Sequence, residues 1–257
     1  KTISILLLVL AGILQASPAP AESVRPSVFP ANAWGVYTWG NPKEVSRQSH
    51  PLVKGFPLVL RWSAIEPEPG VFRFDEQIGE MLRRAEADGF YTFLMVWVAP
   101  NAPRWLYENG VPEVQMTPTI DPLGKPRDVT FQYYLDEDYI RYYHRMLKAF
   151  CHFVRDLPAG QRERILFIQA AEGSTGDGWG YKGEPLNPQY AIDDDQWGVF
   201  RIKAWEVMKR ALTDAGGNMV TPLLVNYDSN QEEQYQWVLK NLPAIGLKNG
   251  MFSHGYH

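Results

Sequence analysis

The sequence predicts an α/β protein, an incomplete eight-stranded (β/α)8 barrel of the TIM type, on three observations. Short apolar runs alternate with segments of helical period along most of the chain. Runs such as residues 91–98 and 165–168 are apolar almost throughout, which suits strands of a parallel sheet covered by helices. No glycine-rich phosphate loop follows the first strand, which removes the usual functional case for an open, doubly wound sheet. About six of the eight strand–helix units are present, the sixth without its helix, so a barrel cut short by about two units is expected.

The elements follow in order. Residues 34–39 read as a first strand, ended by Gly40-Asn41-Pro42. Residues 52–56 read as the end of a short helix, and 57–62 as a second buried strand with a polar tip at Arg61. Asp75 reads as the N-cap of a helix through Asp88, whose apolar face includes Ile78, Met81, Leu82 and Ala85. Gly89 ends that helix. A third strand covers 91–98. The connection 99–135 carries six prolines and exceeds ordinary loop length. Its aromatics, Trp105, Tyr107, Phe131, Tyr133 and Tyr134, argue for a packed loop. In 136–156, Tyr139, Tyr142, Met146, Phe150 and Phe153 fall at spacings of three and four, a helix. The fourth strand, 165–168, turns polar at Gln169 and delivers Glu172 just before Gly173. A second long loop, 173–193, leads to a helix at about 197–215, closed by Gly216-Gly217. Residues 219–225 form a fifth strand with Asn226 at its tip, 231–242 a helix, and 250–253 a sixth strand tipped by His254-Gly255-Tyr256.

Residues 1–21 stand outside this alternation. Lys1 is a basic start, 3–14 is an apolar run, and Ala19-Pro20-Ala21 offers the small residues a signal peptidase reads. A secretory signal peptide cleaved after Ala16 or Ala21 is expected, its apolar run being too short for a comfortable membrane span. Residues 22–257 are then the N-terminal part of the barrel domain of a secreted or periplasmic protein, with no membrane span after cleavage. Cys151 is the one cysteine, so no intramolecular disulfide can form; among Phe150, His152 and Phe153 it reads as a small buried hydrophobe. A secreted chain without disulfides relies on a large core.

The formal net charge of -4 offers no basic patch, which argues against a nucleic-acid partner. Aromatics are abundant, with Trp 9, Tyr 13 and Phe 12, and flat rings serve sugar stacking as well as core packing. At the carboxyl ends of barrel strands, where such folds keep their chemistry, stand Trp39, Arg61, Trp97, Glu172, Asn226, His254 and Tyr256. Gln169 and Asp177 flank Glu172. Cleaving a glycosidic bond calls for this kind of set: one carboxyl group to protonate the leaving oxygen, a second as nucleophile or base, and neighbours that set their pKa values apart. Glu172 is the candidate acid/base, and the others are candidate substrate contacts. Arg61 also suits a structural ion pair, and Trp39 and Trp97 also suit barrel core packing. No cofactor is implied. His254 and His257 lack a third ligand at suitable spacing, so no metal is expected. Ser174 lies in Glu-Gly-Ser-Thr-Gly and has no nucleophile-elbow context.

Trp62-Ser63-Ala64-Ile65-Glu66-Pro67-Glu68-Pro69-Gly70-Val71-Phe72 resembles the segment after the second strand in clan A glycoside hydrolases, particularly family 42 β-galactosidases. Ala102-Pro103-Arg104-Trp105-Leu106 is similar to the Pro-x-Trp-Leu segment of families 42 and 35, and His254-Gly255-Tyr256 resembles the His-x-Tyr of family 5. Glu172 is placed like the clan's acid/base glutamate. The resemblance implies a retaining β-glycosidase acting on a β-galactoside or β-glucan, with Arg61 and Tyr256 flanking a nucleophile that ends a seventh strand. Two departures stand out: Ala171 replaces the Asn that usually precedes the acid/base, and the chain holds no seventh strand, so the fragment itself is expected to be inactive. Two other readings remain open at this level. One is a non-catalytic carbohydrate-binding barrel, the other an inverting glucanase of β-amylase type. An oligo- or polysaccharide partner is common to all three.

Overall fold

In the computed structural model the described residues are 29–99, 102–120, 126–127, 129–173, 178, 180–227, 232–242 and 247–249. The expected signal peptide and the expected strand at 250–253 lie outside them. So do Asp177, His254 and Tyr256.

The first strand, β1 (Val36–Tyr37), is shorter than the apolar run suggested, and Gly35 precedes it with φ 149°. β2 (Val53–Arg61) starts earlier than expected: residues 53–56 are extended, not the end of a helix. Two contacts fix this. Arg47 Nη1 donates to the Val53 carbonyl at 2.7 Å, and Gly55 lies so close to the Tyr91 carbonyl that any side chain there would collide with it. A short apolar run carries no period of its own, so helix and strand were equally compatible with it.

One helical turn, α1 (Trp62–Ile65), follows β2. The next helix opens with a π-turn, Asp75–Gly79, and continues as α2 (Glu80–Asp88). Asp75 is therefore inside the helical segment rather than at its N-cap; its carboxylate instead takes Arg83 Nη1 at 3.0 Å. Gly79 leaves room for that carboxylate, which a Cβ would strike. Gly89 ends α2 with φ 68°, the left-handed geometry a glycine adopts without strain. β3 (Tyr91–Trp97) follows.

The long connection is folded, as its aromatics suggested. It holds α3 (Trp105–Glu108) and β4 (Glu113–Gln115), which pairs antiparallel with β7 (Thr130–Gln132). Between them β5 (Thr119–Ile120) pairs with β6 (Pro126–Arg127). Helix α4 (Glu137–Arg155) is capped by Asp136, whose side chain accepts from the Tyr139 N–H at 2.9 Å. The short α5 (Ala159–Arg162) leads into β8 (Ile165–Gln169). Helix α6 (Asp194–Leu212) starts before the expected 197 because Asp193 and Gln196 form a capping box. Then come β9 (Leu223–Tyr227), α7 (Glu232–Asn241) and β10 (Leu247–Asn249).

Six strands form one sheet in the order β1-β2-β3-β8-β9-β10, and every adjacent pair is parallel. Each strand lies beside the one before it, with no reversal of direction across the sheet. That order is a partial barrel and excludes the doubly wound arrangement, whose order reverses at a switch point. The helices cover one face. There Phe56, Leu58, Leu60, Leu94, Val96 and Ile168 pack with α2, α4 and α6 residues in one cluster. Each large apolar side chain buried there contributes about 1.5–3 kcal/mol. Between α4 and α6 the rings stack, Tyr139 on Tyr143 at 5.7 Å and Tyr143 on Phe200 at 5.6 Å. Cys151 is buried on α4, and burial pushes its thiol pKa up.

Candidate functional site

Register decides which strand side chains share a face. Partners on adjacent parallel strands project to the same side, and the side alternates residue by residue. Gly55, Pro57, Val59 and Arg61 of β2 stand beside Tyr91, Phe93, Met95 and Trp97 of β3. Met95 stands beside Gln169, and Gln169 beside Leu224. Asn226 lies two residues beyond Leu224, on the same side. These residues form the inner face, opposite the helices. Phe93 stacks on Phe167 at 4.8 Å, and Trp39 meets Phe93 edge-on at 5.9 Å, so Trp39 joins this face from the end of β1.

The structure thus brings five expected site residues together: Trp39, Arg61, Trp97, Gln169 and Asn226. They differ in accessibility. Trp39 is 65% exposed and Arg61 is exposed, with no hydrogen-bond or ion-pair partner among the described residues. Trp97 is half-buried, and its indole N–H is buried without a partner there. Gln169 and Asn226 are buried. An exposed indole and an open guanidinium form a surface able to stack on a ring and to donate to hydroxyl or carboxyl oxygens.

Glu172 stands just past the carboxyl end of β8, the end at which the strand tips were expected to gather. β8 ends at Gln169, and three residues beyond it the Glu172 carboxylate reaches the α6 side. The carboxylate is fully buried. Its Oε2 takes the Nε–H of Arg201 at 3.3 Å, and its Oε1 takes the indole N–H of Trp205, both from α6. Arg201 also donates to Gln234 Oε1 at 2.6 Å and to the Asn226 carbonyl. Burial, and next the Glu172 charge, drive the Tyr143 phenol well above its usual range.

Arg201 and Trp205 were not anticipated from sequence, yet a signal was present. Trp197, Phe200, Ala204 and Met208 mark the buried stripe of α6 at helical spacing, and Arg201 falls within it. A cation in an apolar stripe needs a buried anion.

A second buried carboxylate anchors the segment after β2. Glu66 Oε2 accepts from Trp62 Nε1 at 2.8 Å, and its Oε1 accepts from the Gly70 N–H at 2.7 Å and pairs with Arg145 of α4. The Glu66 carbonyl accepts from Trp105 Nε1 at 2.9 Å. The Trp62–Phe72 stretch and the Trp105 stretch, two of the segments that carry the family resemblance, are therefore joined at one residue.

Among the described residues no group of three or more His, Cys, Asp or Glu could hold a metal ion. No helix among them is long and apolar enough to cross a membrane.

No protein-family model and no curated protein sequence matches the chain. Several solved structures are similar. The cold-adapted β-galactosidase from Rahnella sp. R3 is 16% identical, with a TM-score of 0.44 over 70% of this chain and 32% of its own. A psychrophilic family 10 endo-β-1,4-xylanase is 14% identical, with a TM-score of 0.42 over 83% of this chain and 60% of its own. Endo-glycoceramidase II from Rhodococcus sp. is 12% identical, with a TM-score of 0.44 over 69% of this chain and 42% of its own. The chain thus spans less than two thirds of each. Likeness of this degree establishes no shared chemistry.

Proposed function

We propose that the chain is part of a barrel glycosidase that binds a β-linked glycoside, a β-galactoside or β-glucan, on its inner face. The observation that carries the reading is the pairing of Arg61 with Trp97 at the carboxyl ends of β2 and β3. It sets an open guanidinium beside a half-buried indole, and the exposed Trp39 projects from the same face. Carbohydrate sites are built from such parts: a ring face for the sugar's apolar side and fixed donors for its hydroxyl oxygens. Within this reading Glu172 acts as acid and then base in a retaining double displacement, with a second carboxylate as nucleophile. The role requires Glu172 to turn from α6 toward the inner face at the step where it acts. Residues 1–21 direct export, and amino-terminal sequencing of the mature protein checks that part.

The test is a panel of β-linked oligosaccharides given to the complete protein. Cleavage that is lost in Glu172→Gln supports the reading. No cleavage of any member, or equal cleavage by Glu172→Gln, removes Glu172 from the role.

One observation favours a second reading, a non-catalytic carbohydrate-binding barrel. Both carboxylate oxygens of Glu172 are engaged and the residue has no solvent exposure. Binding of the same sugars without turnover would select it.

A further inference from the structure

Arg201 is 1% exposed, and three sequence-distant elements meet at its guanidinium. One N–H goes to Glu172 past the end of β8, one to Gln234 of α7 and one to the Asn226 carbonyl of β9. Trp205, one helical turn along α6, holds the other oxygen of Glu172. Gly178 lies against this cluster. A Cβ there would stand 3.0 Å from Arg201 Nη2 and 3.2 Å from Asn226 Cβ. The Gly178 carbonyl is fixed in turn by the Trp197 indole N–H at 2.6 Å. From α4 the Tyr143 hydroxyl is buried without a partner among the described residues.

We propose that Arg201 and Trp205 are positioning residues for the Glu172 carboxylate. They hold it against α6, behind the inner face, and set how it is presented to a bound sugar. The inference rests on the reading of Glu172 as the acid/base. The grip at both oxygens gives the carboxylate one defined resting position to turn from and return to, and a placement error carried into the reacting position is costly: about 1 Å can cost about a hundredfold in rate. The clamp survives the departure of its guest. When Glu172 turns inward, Arg201 keeps Gln234 and the Asn226 carbonyl as acceptors, so the guanidinium stays in place for the return. Neither clamp residue is on the inner face, so sugar binding by Trp39, Arg61 and Trp97 does not depend on them.

The test compares the complete wild-type protein with Trp205→Phe, which keeps an aromatic ring but loses the donor, and with Arg201→Lys, which keeps the cation but loses the fork. Steady-state kinetics are run on whichever β-linked oligosaccharide the wild type cleaves. The expected result is a kcat lowered at least about tenfold in Trp205→Phe with KM within about twofold, and a smaller loss in Arg201→Lys. Adding Trp205→Phe to Glu172→Gln should lower kcat no further, because the indole acts through the carboxylate. Folded Trp205→Phe and Arg201→Lys proteins with unchanged kcat would overturn the clamp alone. A fall in kcat that persists undiminished in the Glu172→Gln background would overturn it too. A wild type that cleaves none of the sugars would overturn the acid/base reading, and the clamp with it.

Discussion

Replacing Glu66 with Ala should destabilise the chain by about 2–4 kcal/mol, chiefly because a buried donor loses its acceptor. Glu66 is fully buried, and its loss orphans the buried Trp62 indole N–H, which costs about 1–3 kcal/mol. The Gly70 N–H also loses its acceptor, but Gly70 is exposed and water replaces the carboxylate there, so it adds at most about 1 kcal/mol. Arg145 adds little, since its side chain is 36% exposed and rehydrates in place, in the range of about 0–1 kcal/mol. Glu66→Gln should cost less, because the carboxamide still offers one acceptor but turns an amide N–H₂ toward the donors at the other. For a domain of this size each kcal/mol corresponds to about 2–4 °C. Thermal unfolding followed by circular dichroism should therefore show Glu66→Ala about 4–16 °C below wild type, with Glu66→Gln between the two. A melting temperature for Glu66→Ala within about 2 °C of wild type would refute the reasoning and reduce the cluster to an incidental contact.

Further outcomes are expected. Trp97→Ala should weaken binding of a β-linked oligosaccharide about two- to tenfold by calorimetry, from loss of a stacking worth about 0.5–1.5 kcal/mol; unchanged affinity would remove the inner face from sugar recognition. Gly89→Ala should cost about 1 kcal/mol in urea unfolding, because φ is 68° and no steric clash adds to the strain. Cys151, buried with its thiol pKa driven up, should stay unreactive toward a disulfide reagent at pH 8 and react at once in denaturant. Tyr37 and Tyr107 are each raised to about 12, first by burial. A tyrosine raised above its unfolded value of 10.0 contributes stability in full below pH 10, and loses it as pH climbs toward about 12. Alkaline unfolding across that window, with tyrosinate absorbance appearing together with the loss of structure, is the expected result; early, independent titration would contradict it.

Much of the fold was legible because its long elements carry strong periods. The five aromatic and methionine positions that marked α4 fall in the helix, and Asp136 caps it. The apolar run of β3 ends within one residue of its expected end. Short or strained pieces were not legible. Residues 53–56 carry no period, and what makes them a strand is a close approach to Tyr91, a contact from outside the segment. Asp75 looked like a cap, but the π-turn shifted the helix start, and Gly79 makes that turn possible. In the site, the strand tips collected from sequence include Arg61 and Trp97, which the register sets side by side. Glu172 was placed at the same end of the barrel, but the sequence did not say what holds its carboxylate, which meets α6 past the end of β8. The partners waiting there, Arg201 and Trp205, belong to a helix, and a search confined to strand ends could not meet them.

Trp62, Glu66 and Arg145 together behave as a single heritable character. A lineage that loses Glu66 alone passes through a chain weakened by about 2–4 kcal/mol, a large share of the 5–15 kcal/mol that holds an ordinary domain folded. Replacing the whole group by well-packed apolar residues can be neutral or even favourable, but that exchange needs several substitutions at once. Descendants of this sequence should therefore carry the indole, the carboxylate and the guanidinium together or lack them together. Intermediate combinations should occur only where some other change has already stabilised the fold.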